Sequence, residues 1–158
     1  MRILYRILGV IVHTVALMFT ISLLTSFTML FMSPSTMLSA FLLIAIILYS
    51  FFSFWFTRQV IDRQRVVQHW LRDWIRVNGI VTLVFCIFLM LGILPLLINP
   101  QPFIEVVKSM GLDVAPKVLR TSLFLMLLYS VILFIHILWT FALMKKHQAF
   151  FERKEQDF

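Results

Sequence analysis

The chain is poor in the groups that carry covalent or acid–base chemistry. One cysteine, Cys86, stands alone among 158 residues; a single thiol closes no intrachain disulfide and lacks the CxxC pair of membrane thiol oxidoreductases, so its plain reading is a small core residue. Asp, Glu, Lys and Arg make up 13% of the sequence, and none of them falls within its four long apolar runs. Ion- and proton-coupled transport needs a buried carboxylate that binds and releases the coupling ion, so a transporter or pump is disfavoured. No strict GxxxG pair occurs inside a run. No long segment repeats, so neither a solenoid nor an inverted-repeat transporter is indicated. No catalytic, metal or nucleotide-binding motif is present.

What is abundant is apolar surface: 61% of residues are hydrophobic and the mean hydropathy is +0.98, too apolar for a soluble domain. The runs are Ile7 to Met32, Met37 to Phe56, Ile80 to Ile98 and Ser122 to Met144. At ~1.5 Å per helical residue each can cross a hydrocarbon core of roughly 30 Å. The remaining pieces are too short for a soluble domain, so 1–158 reads as a single membrane domain. The N-terminus has the basic start of a signal peptide, but the run is too long for an ordinary h-region and no A-x-A site follows, which predicts an uncleaved first span. Ser33, Pro34, Ser35 and Thr36 leave room only for a tight hairpin, with Pro34 ending the first helix and Ser35 or Thr36 capping the second.

Basic residues orient these spans. Arg2 and Arg6 precede the first, Arg58, Arg63, Arg65, Arg72 and Arg76 separate the second from the third, and Lys145, Lys146, Arg153 and Lys154 follow the fourth; only Lys108, Lys117 and Arg120 lie on the other side. Positive charge is retained in the cytoplasm. The expected fold is therefore all-α: an integral membrane four-helix bundle, up-down-up-down, with both termini cytoplasmic, in the plasma membrane, or the inner membrane of a bacterium. A net charge of +7 then fits anionic lipid headgroups rather than nucleic acid.

From Arg58 to Asn78 the pattern turns amphipathic. Val60, Val67, Trp70, Leu71 and Trp74 oppose Asp62, Arg65, Gln68, Arg72, Asp73 and Arg76 at helical spacing. This predicts an interfacial helix in the cytoplasmic loop, with Trp70 and Trp74 in the headgroup zone, Arg58, Arg63, Arg65, Arg72 and Arg76 on phosphate, and Asn78–Gly79 as the turn into the third span. It reads first as an anchor and second as a surface for a partner. Trp55 and Trp139 map to the same boundary. Beyond the third span, where Gly92 and Pro95 predict a kink, residues 99–121 form the outer loop; there Pro100 and Pro102 start a short helix that Gly111 stops. Pro116 belongs to the first turn of the fourth helix, with Asp113 as its candidate cap, and that helix is expected to run past Met144.

Two histidines, His13 and His136, are the sharpest feature at depth. Counting helical rises from Arg6 and Lys145 places them ~10 and ~14 Å from the same end of their spans. If the first and fourth helices are neighbours, the two imidazoles face one another. His13 lies on a stripe with Gly9, Ala16 and Thr20, and His136 on one with Ser122, Tyr129 and Thr140, so both are expected to point inward. The favoured reading is a pair of polar helix contacts worth about 1 kcal/mol or less each. The functional alternative is cofactor binding by His13 and His136 as axial ligands of a haem b, with a quinone site or a His136–Tyr129 proton relay as a weaker variant. Gly9, Ala16, Ala45, Ser50, Ser53 and Gly92 are candidates for close helix packing, whereas Thr20, Ser22, Thr25, Ser26 and Thr28 are hydroxyls that helices tolerate.

These observations point to a small, non-enzymatic multi-pass membrane protein with no cofactor. Its expected role is structural, accessory or regulatory, exercised through packing with itself or a membrane-protein partner. A haem- or quinone-associated protein is the alternative, and a passive channel or lipophilic-solute carrier a further one, although no ring of residues supports it.

Overall fold

The computed structural model describes residues 2–25, 34–109, 111 and 115–152. Its long helices are α1 (Arg2–Thr25), α2 (Pro34–Phe56), α3 (His69–Ile98) and α5 (Pro116–Lys146), with a short α4 (Gln101–Ser109) between the last two. All four long helices are apolar enough and long enough to cross a membrane. Their bounds follow simple chemistry. Pro116 opens α5, where its missing N–H costs nothing. Gly111 sits at φ 77°, and its N–H bonds the Lys108 carbonyl just after α4. Pro95 lies inside α3, which continues through it to Ile98. Pro34 is the first residue of α2 rather than part of a linker. The expected end of the first span at Met32, the hydroxyls Ser26 and Thr28, the cap Asp113 and the tail from Arg153 lie outside the described residues.

The helices pack in a ring, α1 against α2, α2 against α3, α3 against α5 and α5 against α1. Tyr5 meets Thr140 while Phe19 meets Tyr129, so residue number rises along α1 as it falls along α5. His13 against Ser50 and Arg6 against Asp62 give the same opposed running for α1 and α2. Val12, Ile46, Tyr49, Ile75, Leu133 and Ile137 fill the centre.

Residues 58–78 do not form one separate interfacial helix. Thr57–Asp62 extend α2 as a π-helical turn, the chain reverses at 63–66 with Gln64 at φ 50°, Val67–Gln68 form a two-residue strand β1, and α3 already starts at His69. The reason lies at Asn78 and Gly79. Asn78 is buried and its Nδ2 bonds the Trp74 carbonyl within the helix. Gly79 permits close approach instead of a turn: a Cβ there would lie 2.8 Å from Cζ of Phe141 on α5. Both residues therefore belong to a packed helix interior. The chain after α5 folds back as a 3₁₀ turn (Gln148–Phe150) and strand β2 (Phe151–Glu152), which pairs parallel with β1. Phe151 is buried and stacks on Phe56 at 5.8 Å. By contrast Gly92, a packing candidate, has nothing within 4 Å of where its Cβ would stand.

Candidate functional site

Three helices deliver polar side chains to one level of the bundle. α1 contributes Tyr5, Gly9 and His13 at successive turns, α2 contributes Tyr49 and Ser50, and α5 contributes His136 and Thr140 one turn apart. The spacing of four places the α1 set and the α5 pair each on one helix face. Tyr49 and Thr140 are 0% exposed and His136 is 1% exposed, so each polar atom there needs a partner from the protein. Thr140 is the hub. Its Oγ1–H donates to the His136 carbonyl at 2.8 Å, and its oxygen lies 3.0 Å from the hydroxyls of both Tyr5 and Tyr49.

One proton per hydroxyl fixes the direction of every bond. Thr140 gives its proton to a carbonyl, so Tyr5 and Tyr49 both donate to Thr140. Tyr49 has then used its proton, and its oxygen accepts from Nδ1–H of His136 at 2.9 Å. A neutral His136 is thereby left with an unprotonated Nε2. Tyr5 also stacks on the imidazole, with centroids 4.9 Å apart and planes 6° apart. His13 bonds Ser50 Oγ through Nδ1 at 2.6 Å.

The two histidines do meet, with ring centroids 6.2 Å apart and nearly perpendicular planes. Gly9 lies between them: a Cβ built there would be 3.4 Å from Nε2 of His136 and 3.8 Å from Nε2 of His13. Both nitrogens thus lie close to the α1 backbone, at a distance where a methyl group would make ordinary contact. His136 points inward, as the stripe on α5 predicts. His13 is half-buried and borders an apolar cleft of about 280 Å³ between α1 and α2, flanked by Leu17, Ile47 and Phe54. Ser122, on the same predicted stripe as His136, is exposed.

The proposed His136–Tyr129 relay is replaced by a different partner. The buried Tyr129 hydroxyl has no hydrogen-bond partner, and its ring packs on Phe19 at 5.9 Å; Tyr49 takes its place at His136. Nε2 of both His13 and His136, the atoms a haem b would take as axial ligands, lies beside Gly9, and Tyr5 lies flat on one face of the His136 ring. No group of three His, Cys, Asp or Glu side chains is placed for a metal ion among the described residues.

The expected interfacial residues gather at one end of the bundle, in two settings. Arg58, Arg63 and Arg65 are exposed on the π turn and the reversal after it, while Trp70, Arg72, Trp74 and Arg76 ride on the first turns of α3. Phe52, Trp55, Trp70 and Trp74 form an aromatic cluster, with centroids of 5.5–5.8 Å between partners. Arg6 pairs with Asp62, tying α1 to the π turn. Periodicity flagged Thr140 and Ser50 but not Tyr5, just ahead of the first run, or Tyr49, inside the second. The available signal was scarcity: the chain has three tyrosines, and two of them join this cluster. No protein-family model, curated protein or solved structure matches this chain, so geometry alone carries the functional reading.

Proposed function

We propose that this chain is a non-enzymatic integral membrane protein, a four-span bundle that acts as a structural, accessory or regulatory component by packing against itself or a membrane partner. Both termini and the α2–α3 connection lie on the cytoplasmic side of a plasma membrane in this reading, because Arg6, Arg58, Arg63, Arg65, Lys145 and Lys146 gather at one end. The observation that carries it is the use of the polar groups at depth: His136, Tyr5, Tyr49 and Thr140 are consumed in bonds between helices. Such bonds set helix register, and the four apolar runs contain no carboxylate that could serve transport.

Affinity purification in mild detergent, with mass spectrometry and size measurement, tests the reading. A defined oligomer or a stoichiometric membrane-protein partner is expected. A monomer that co-purifies with no protein overturns it. A Soret band in protein expressed with haem available, lost in His13→Ala, would instead install the haem alternative. The second reading, a binder of small lipophiles, is favoured by one observation: the His13–Ser50 pair borders a cleft with otherwise apolar walls.

A further inference from the structure

A separate feature lies at the basic end, between the start of α3 and the end of α5. Arg72 and Arg76 occupy successive turns of α3, Lys145 lies in the last turn of α5 and Gln148 just beyond it; together with Phe141 and Met144 they line a cavity of about 570 Å³. That volume is within the roughly 300–1,000 Å³ of ordinary ligand sites. Three cations line it and no carboxylate does.

Arg72 is held in place from behind. It donates to Nε2 of His69, whose Nδ1 in turn contacts Asp73 at 2.7 Å. Yet Nε of Arg72 is buried without a hydrogen-bond partner, its only company being the Asp73 carboxylate at 3.6 Å. The Arg72 side chain is 27% exposed, and Asp73 neutralises only part of the positive charge around the cavity. Arg76 and Lys145 have no hydrogen bond or ion pair among the described residues. Two unpartnered cations beside a third in one cavity without a carboxylate suit an oxyanion able to accept several N–H bonds at once, which is the chemistry of phosphate.

We infer that this cavity is a discrete site for the phosphate of an anionic phospholipid headgroup. The α3 face points to a lipid in particular: at further steps of four, Arg72 and Arg76 are followed by Ile80 and Val84, which are 50% and 44% exposed. A headgroup seated on the arginines leaves its acyl chains running along that apolar stripe. Basic pockets between spans at the cytoplasmic boundary hold anionic headgroups in this manner. The inference rests on the reading that this end of the bundle faces a headgroup layer.

The test is native mass spectrometry of the full chain in detergent, titrated with phosphatidylglycerol, phosphatidylcholine or inorganic phosphate. Wild type is expected to retain one phosphatidylglycerol per chain and to ignore phosphatidylcholine. Arg76→Gln/Lys145→Gln, which leaves the Arg72–His69–Asp73 contacts intact, is expected to bind roughly 10-fold or more weakly. The charge-matched control Arg58→Gln/Arg63→Gln is expected to bind as wild type does. Equal loss in both pairs means diffuse attraction and overturns the site, as does equal binding of phosphatidylcholine. Displacement of the lipid by equimolar inorganic phosphate overturns the lipid assignment in favour of a free anion. Orientation is read separately by thiol labelling of Gln148→Cys in a Cys86→Ser background. Labelling from the outer side overturns the cytoplasmic placement while the lipid stoichiometry stands.

Discussion

The two ends of this bundle are held together by different physics. At the basic end, hydrogen bonds join α1, α2 and α5 through Thr140, an ion pair links Arg6 to Asp62, Phe151 stacks on Phe56 beneath the β1–β2 pair, and Phe141 presses on Gly79. At the opposite end Gly92 faces open space, the Tyr129 hydroxyl has no partner, and Leu97, Arg120 and Phe124 border an open cavity of about 410 Å³. In hydrocarbon, apolar contact between helices gains little over contact with lipid, so close packing and polar bonds decide where a bundle is tight. Among the described residues the basic end is therefore the more closely packed and bonded of the two.

This contrast can be broken most severely at glycine. Gly79→Leu drives a side chain into the Phe141 ring, and overpacking of this kind costs about 1–3 kcal/mol or more; loss of the monodisperse peak in detergent size exclusion is expected. Gly92→Leu is expected to leave that peak and the melting temperature unchanged. Should both variants behave alike, the asymmetry is wrong.

Next in size is the hub. Thr140→Val keeps the shape and removes the acceptor for two tyrosine hydroxyls, leaving buried donors unpaired at about 1–3 kcal/mol. A clear fall in thermal midpoint is expected. Thr121→Val, which loses only a bond to its own helix at the Lys117 carbonyl, should shift it little.

Smaller still is the tyrosine comparison. Tyr49→Phe removes two bonds between α2 and α5, the one given to Thr140 and the one accepted from Nδ1–H of His136, with an expected loss of about 1 kcal/mol or more. Tyr129→Phe deletes a buried hydroxyl without a partner and is expected to be neutral or stabilising. A Tyr129→Phe variant that melts below Tyr49→Phe would show that the polar network is not what tightens the basic end.

The smallest effect belongs to Arg6→Gln. Arg6 and Asp62 are 56% and 37% exposed, and such pairs contribute about 0–1 kcal/mol. The pair is expected to locate the π turn rather than to stabilise the fold, so the melting temperature should stay put while amide exchange at 57–62 quickens.

Much of the outline was legible because long apolar runs and helix breakers act locally. The lengths of four runs, Pro116 in the first turn of α5 and Gly111 beyond α4 needed no knowledge of neighbours. The interfacial helix was misjudged for the opposite reason. Asn78–Gly79 is a turn signal in water-exposed chain, but here Phe141, 62 positions away, uses the glycine as a contact surface. The His13–His136 encounter was foreseeable from equal depth on two helices. Their partners were not: Tyr5 and Tyr49 lie 135 and 91 residues from Thr140, and no periodicity links residues so far apart.

Composition and order along the chain, taken alone, determine that this protein has four helices able to span a membrane and that its basic residues cluster beside one side of them, since both depend on the transfer of single groups between water and hydrocarbon. The proton assignment around Thr140, the approach of both histidine Nε2 atoms to Gly9, the reach of α3 back to His69 and the cavity that joins Arg72 and Arg76 to Lys145 were decided only by tertiary structure. Each of them is a relation between atoms on different helices, set by how closely those helices approach.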